Sequence, residues 1–316
     1  MADDYPKTIL ELERRFATEE ACREYLFQLR WPDGFVCPEC QGGSVWPASR
    51  GRLVCQSCRH QTSVTAGTIF QDTRKPLRLW FRAIWYVTSQ KNGTSAASIQ
   101  RILGLRSYQT AWTWLHKLRR AMVRPGRELL HGRVEVDETF VGGEDPHGGA
   151  WVDRKAVVVI AAEEDGAGIG RIRLASFPAP TKKCFHRFIQ EAIERGSTVH
   201  TDGRHALTGL EHLGYKQKRT VLSQRKDRQA PIKLLPRVHR VASLLKRWLL
   251  GTHQGAVEAE HLDYYLDEFT FRFNRRTSRS RGKLFYRLLQ QAAQVSPTTY
   301  RDMVGGKKAK KQIHQR

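Results

Sequence analysis

The chain has 316 residues, 40% of them apolar, and its 54 Lys and Arg outnumber 31 Asp and Glu, giving a net charge of +23 and a pI near 10.2. Such a length exceeds one ordinary domain and can fill two or three cores, while the positive excess calls for a polyanionic partner, nucleic acid before membrane. No apolar run approaches the ~18 residues of a membrane span, and the amino end is too acidic and polar for a secretory signal. These features exclude a membrane-embedded protein and predict a cytoplasmic one, nucleoid-associated when bound to DNA.

In chain order, Thr8 and Glu11 are spaced as a capping box and Thr18 stands ahead of EEACREYLFQL, so short helices open the chain. Trp31-Pro32-Asp33-Gly34 breaks the pattern, and short apolar pieces between Phe35 and Val64 read as small hairpins. Within them Cys37, Cys40, Cys55 and Cys58 form C-x2-C-x14-C-x2-C, a spacing that lets two turns face one tetrahedral Zn²⁺. All-thiolate ligation leaves no open position, so this zinc is structural. Cys22 and Cys184 fall in helical patterns and are expected to be buried free thiols.

Pro76 starts a helix rich in Trp and Arg, followed by SAASIQRIL and SYQTAWTWLHKLRRAM, joined through Leu103-Gly104-Leu105. The pair has the length and glycine placement of a helix-turn-helix, with Ser107 as cap and Tyr108, Gln109 and Thr110 near base edges. The plainer alternative is a helical hairpin with Trp112, Trp114 and Leu115 as core. After Pro125-Gly126 the pattern changes to strands, RVEVDETFV, KAVVVIAAEE and GRIRLASF, an antiparallel meander. A helix, a strand (STVHTD), a short helix, a strand near Tyr215 to Thr220 and helices from about Arg240 follow, an order of mixed α/β class. Strand alternation sets Glu135 and Asp137 on one face, with Val134, Val136 and Glu138 on the other. The FRFNRRTSRSRGK run, with Arg272, Arg275 and Arg276, reads as a helix packed on one face and touching phosphate on the other.

Asp137 on the first strand of the meander and Asp202 after the fourth resemble the RNase-H-like core of the DDE transposases. The zinc ribbon, VDETFVGG, TDG, HRVASLLKRWLLGTHQG and HLDYYLDEFTFRFNRR resemble one insertion-sequence transposase family in order and spacing, across most of residues 20–290. The resemblance implies that Asp137 and Asp202 hold catalytic Mg²⁺ or Mn²⁺. It also implies a Glu on a later helix with Lys or Arg seven residues on; Lys246 fits the base, and counting back gives His239. His239 departs from the general pattern, although the family tolerates non-acidic residues there. Asp227, Glu258 and Glu268 are lesser candidates, and Glu268 with Arg272 has the spacing of an i,i+4 ion pair.

The resulting expectation is N-terminal helices and a zinc ribbon in residues 1–70, a helix-turn-helix unit in 71–126, an RNase-H-like core in 127–295 and a basic, disordered tail in 296–316. Such a protein would cleave the ends of an insertion sequence and join the 3′-hydroxyl to target DNA. Its partners would be double-stranded DNA, as terminal inverted repeats and target, and further copies of itself in a homodimer or higher oligomer. The rivals are a nuclease without strand transfer and a catalytically impaired, transposase-derived DNA-binding protein or regulator.

Overall fold

The computed structural model describes residues 4–124, 126–142, 156–220, 234–255 and 257–304. It divides into two compact units, Met1–Pro125 with Ser278–Arg316, and Gly126–Thr277.

In the first unit, Thr8 and Thr18 cap helices α1 (Ile9–Arg15) and α2 (Glu19–Arg30), accepting from the N–H groups of Glu11 and Ala21 at 3.1 and 3.2 Å. Strands β1 (Val45–Ala48), β2 (Arg52–Cys55) and β3 (Gln61–Ser63) form an antiparallel sheet in chain order. Helices α3 (Leu77–Ser89), α4 (Ala96–Leu103) and α5 (Tyr108–Ala121) follow. Trp80 of α3 stacks on Trp114 of α5, with ring centroids 3.8 Å apart.

The second unit is built on a five-stranded sheet ordered β6-β5-β4-β7-β8: β4 (Arg133–Val141), β5 (Ala156–Asp165), β6 (Gly168–Phe177), β7 (Thr198–Thr201) and β8 (Lys216–Arg219). The first three form the antiparallel meander expected from the sequence, while β7 and β8 run parallel to β4. Helix α6 (Lys182–Ala192) makes the crossover that a parallel return requires. Its Phe185, Phe188 and Ile189 pack on Val134, Val136 and Val159. The opposite face, with Val158, Ile160 and Leu174, is covered by α7 (Pro236–His253) and α8 (Leu262–Phe273). Burial on both faces explains why β5 reads as an uninterrupted apolar run. This is the RNase-H-like arrangement. Two 3₁₀ turns, His205–Leu207 and Glu211–Leu213, stand where the sequence suggested a short helix.

One boundary differs from the sequence reading. Residues 278–295, expected within the catalytic core, belong to the first unit, where α9 (Arg281–Ala292) packs on α2, α3 and α5. Phe285 lies against Phe16, Phe81 and Trp85, and a Cβ at Gly282 would come 1.8 Å from the Pro6 carbonyl oxygen, so only glycine permits this approach. The tail also folds further than expected: α10 (Tyr300–Val304) buries Met303, while the Lys-rich end lies outside the described residues. Among the described residues no helix is long and apolar enough to cross a membrane.

Candidate functional site

The two cysteine knuckles close alike. The Cys37 N–H donates to the Gly42 carbonyl and the Gln41 N–H to that of Cys37, both at 3.0 Å; the Cys55 and Arg59 N–H groups donate to His60 and Cys55 carbonyls at 3.0 and 3.1 Å. Gln41 and Arg59, each just after the second cysteine of its pair, turn through the left-handed region at φ 63° and 61°. Cys37 and Cys58 sulfurs lie 3.7 Å apart and those of Cys40 and Cys55 3.6 Å, with all four within 4.8 Å of one another. A disulfide needs about 2.05 Å, whereas tetrahedral Zn–S bonds of ~2.3 Å give S–S edges of ~3.8 Å. The Cys58 backbone N–H holds the Cys55 thiol down to about 6. Cys58 has the His60 N–H favouring its thiolate, yet neighbouring Cys40 and burial push it up to about 12. Four sulfurs so placed ionise together only around a cation, and the cluster therefore fits Zn²⁺. Of the other thiols, Cys22 is buried and pushed up to about 12 by burial, while Cys184 is only half-buried.

In the second unit, the parallel register of β4 and β7 pairs Val134 with Val199 and Glu135 with His200. Strand β7 ends at Thr201, and Asp202, the next residue, lies near enough to Asp137 for their charges to interact. Their side chains are 20% and 14% exposed. Burial pushes the Asp137 carboxyl up to about 6, against the Glu138 backbone N–H that donates to it at 2.9 Å and with the Asp202 charge adding to the rise.

Glu138 joins this group although its Cβ points to the other face. Its side chain is 2% exposed and ion-paired to Arg204, which also lies 3.3 Å from Asp202. Burial, then the Asp137 charge, pushes it up to about 7. Its Oε2 is buried with no hydrogen-bond partner among the described residues. Three carboxylates thus face one guanidinium, one of them with an orphaned oxygen, although their ligand oxygens are not all drawn within 4.8 Å of one another. The sequence reading had set Glu138 aside by strand alternation; its adjacency to Asp137 at a strand end was the signal available.

Helix α7 brings His239 Nε2 to 3.9 Å from Asp137 Oδ2. Lys246 lies seven residues on, two turns and ~10.5 Å along the same stripe, and is exposed. The helix contains no acidic residue. Its placement is set by Glu135, which is 1% exposed and accepts the Arg237 and Val238 N–H groups at 2.8 and 3.1 Å and the Arg237 guanidinium at 2.9 Å. Arg237 also donates to the Gly166 and Gly168 carbonyls. A buried carboxylate thus takes the first free N–H groups of α7, where no side-chain cap is present. Glu164 and His200 approach Glu135 closely enough to hold a metal, but Arg237 and Arg133 already neutralise these carboxylates.

Residues 129–274 match the family described as the ISXO2-like transposase domain, and residues 17–61 match the transposase zinc-ribbon domain. The chain belongs to the insertion-sequence transposases that join a zinc ribbon to a DDE-type core. It is also 26% identical over 290 residues, 85% of this chain and 95% of the relative, to an uncharacterized protein in transposable element ISH50 of Halobacterium salinarum. No solved structure matches it.

The remaining sequence candidates of this transposase lie apart from the carboxylates. Ser107 takes the N-cap position of α5, but its hydroxyl makes no capping bond. Ser107, Tyr108 and Gln109 are exposed and Thr110 half-buried, whereas Trp114 and Leu115 are core. The arginines of the FRFNRR run are placed differently from one another. Arg272 is 13% exposed and held by Glu268 at 2.8 Å, the anticipated i,i+4 pair, so its charge is spent inside the fold. Arg275 lies over the Phe271 ring, and Arg276 lies over Phe273 while donating to the Ile169 and Gly170 carbonyls. Arg272 thus faces inward, whereas Arg276 packs on β6 and an aromatic ring with its side chain still exposed. Glu258 is exposed beside His261, and Asp227 lies outside the described residues.

Proposed function

We propose that this transposase cleaves DNA at the ends of a mobile element and joins the freed 3′-hydroxyl to target DNA. The observation that carries the reading is Asp137 on β4 near Asp202, just past the end of the adjacent parallel strand β7, with His239 of α7 3.9 Å from Asp137. Asp137 and Asp202 would hold Mg²⁺ or Mn²⁺, with Glu138 adding negative charge next to them. When bound, the metal supplies activation of the attacking oxygen and neutralisation of charge on the phosphate. His239 completes the ligand set or orients Asp137 by a hydrogen bond, and Lys246 steadies the terminal phosphate two turns along α7. The zinc ribbon and the α4–α5 pair grip the terminal inverted repeats. Because two ends must be handled together, the acting form is a homodimer or higher oligomer, working in the cytoplasm on nucleoid DNA.

The test is incubation of the purified chain with duplexes carrying the element's ends, in Mg²⁺ or Mn²⁺. The expected products are nicks at the ends and target-joined strands, both lost in Asp137→Ala and Asp202→Ala. Cleavage undiminished in Asp137→Ala would overturn the reading. Nicks without joined products would indicate a nuclease. The absence of any carboxylate on α7 favours one other reading, a transposase-derived DNA-binding protein with impaired catalysis. End-specific binding with no nicking in either metal, and nicking gained in His239→Glu, would establish it.

A further inference from the structure

A strongly charged concavity of the first unit takes one wall from the hairpin between the two cysteine pairs and lies apart in sequence from α5. It is a groove of about 700 Å³ between the β1–β2 turn, the start of α2 and the segment leading into α3. Six cationic side chains line it: Arg23, Arg50, Arg52, Arg74, Lys75 and Arg78. Its sole carboxylate, Glu19, is already engaged: it accepts the Leu77 and Arg78 N–H groups at the start of α3, at 3.0 and 3.5 Å, and faces Arg23 at 3.9 Å.

The backbone presents these cations. Arg50 and Gly51 both turn through the left-handed region, at φ 60° and 71°, which sets Arg50 and Arg52 on either side of the hairpin tip. The Arg23 guanidinium packs so closely on Gly51 that a Cβ there would lie 3.1 Å from its nitrogen. Among the described residues Arg50, Arg74, Lys75 and Arg78 make no ion pair, and all four are exposed. Arg52 has only a 3.2 Å hydrogen bond to Gln61. Free, like-charged groups held side by side repel one another in the absence of an anion.

We infer that this groove binds the sugar-phosphate backbone of duplex DNA, without reading its sequence. The lining contains no aromatic side chain on which an unpaired base could stack. No Asn, Gln or recognition helix projects from it toward base edges, and its donors are those that neutralise phosphates. The division of labour is therefore spatial: affinity and salt dependence reside in the groove, and sequence discrimination in exposed Tyr108 and Gln109. This assignment rests on the reading of the chain as a DNA-handling transposase.

The test uses the full chain and two labelled duplexes, one carrying the element's end and one scrambled, with Kd measured across a range of NaCl concentrations. In Arg74→Gln/Lys75→Gln/Arg78→Gln the slope of log K against log salt should shrink by about 0.9 per lost contact, close to 3 in total, equally on both duplexes. Arg50→Gln/Arg52→Gln, on the other wall, should shrink it by about 2. Unchanged zinc content and far-ultraviolet circular dichroism show that the variants fold. A parent-like slope in both variants would overturn the groove while leaving the DNA-handling reading intact. So would loss of binding to the end duplex alone, or loss of binding to phosphatidylserine vesicles with DNA binding unaltered. Failure of the parent chain to bind either duplex would instead overturn the reading on which the groove rests.

Discussion

At the scale of single residues, burial sets Asp137 and Glu138 against the stability of the second unit. Asp137 rises from the ordinary carboxylate range to about 6 and Glu138 to about 7, chiefly through burial. Both bind protons more tightly folded than unfolded. Stability is therefore fullest below about pH 4 as far as these groups are concerned, and is lost as pH rises through 6 to 7. Two pH units at ~1.4 kcal/mol each make the cost at Asp137 on the order of 3 kcal/mol. Without added Mg²⁺, Asp137→Asn should be more stable than the parent at pH 8 by up to that amount, and equal to it near pH 4, as measured by urea denaturation. Added Mg²⁺ should raise the parent's midpoint and leave the variant's unchanged; a variant that responds equally to Mg²⁺ would remove Asp137 from the metal site. The cysteines obey the opposite logic, because the Zn²⁺ that their cluster fits would stabilise them as thiolates. Cys55→Ser should release the zinc and weaken end binding while leaving the Asp137 group chemically intact, a result read from zinc content and duplex affinity.

At the scale of elements, the decisive contact is between a strand and a helix start. Glu135 was legible as a carboxylate on the Asp137 face, but its partner lies 102 residues away in Arg237, and no local pattern announces it. Breaking a buried pair by removing one partner typically costs 3–5 kcal/mol. Glu135→Ala should thus lower the urea midpoint of the second unit and slow cleavage with it, because α7 carries His239 and Lys246 in one register. Arg237→Lys should keep the charge but lose the paired geometry, giving a smaller loss. On the α4–α5 pair, Tyr108→Ala and Gln109→Ala should reduce discrimination between end and scrambled duplex by about 1–3 kcal/mol, with the salt slope unchanged. Helix caps at Thr8 and Thr18, the meander from β4 to β6 and the CxxC turns were legible because each is specified within a few residues. Within the arginine run the partner of Arg272 was legible as an i,i+4 pair, whereas the packing of Arg276 on the carbonyls near Gly170 was not, because that backbone lies about a hundred residues away.

At the scale of the whole molecule, the chain leaves its first unit at Gly126 and returns to it at Ser278, so that α9 completes a core begun by α1 to α3. Removal of zinc by a strong chelator should expose amides around Cys37 to Cys58 to rapid hydrogen exchange, while those of β4 and β5 keep their protection; simultaneous loss in both would refute their independence. The sequence alone determined the zinc clamp, the basic character, the order of strands and helices, and the pair Asp137 and Asp202, because thiolate spacing, charge and hydrophobic period are local properties. Only the tertiary structure decided that Glu138 joins those aspartates, that Glu135 anchors α7, that Arg272 is spent internally and that Arg50, Arg74 and Arg78 line one groove. Each of these depends on which distant backbone arrives beside a side chain, and a side chain's charge is available to a ligand only when no neighbour in the fold has taken it.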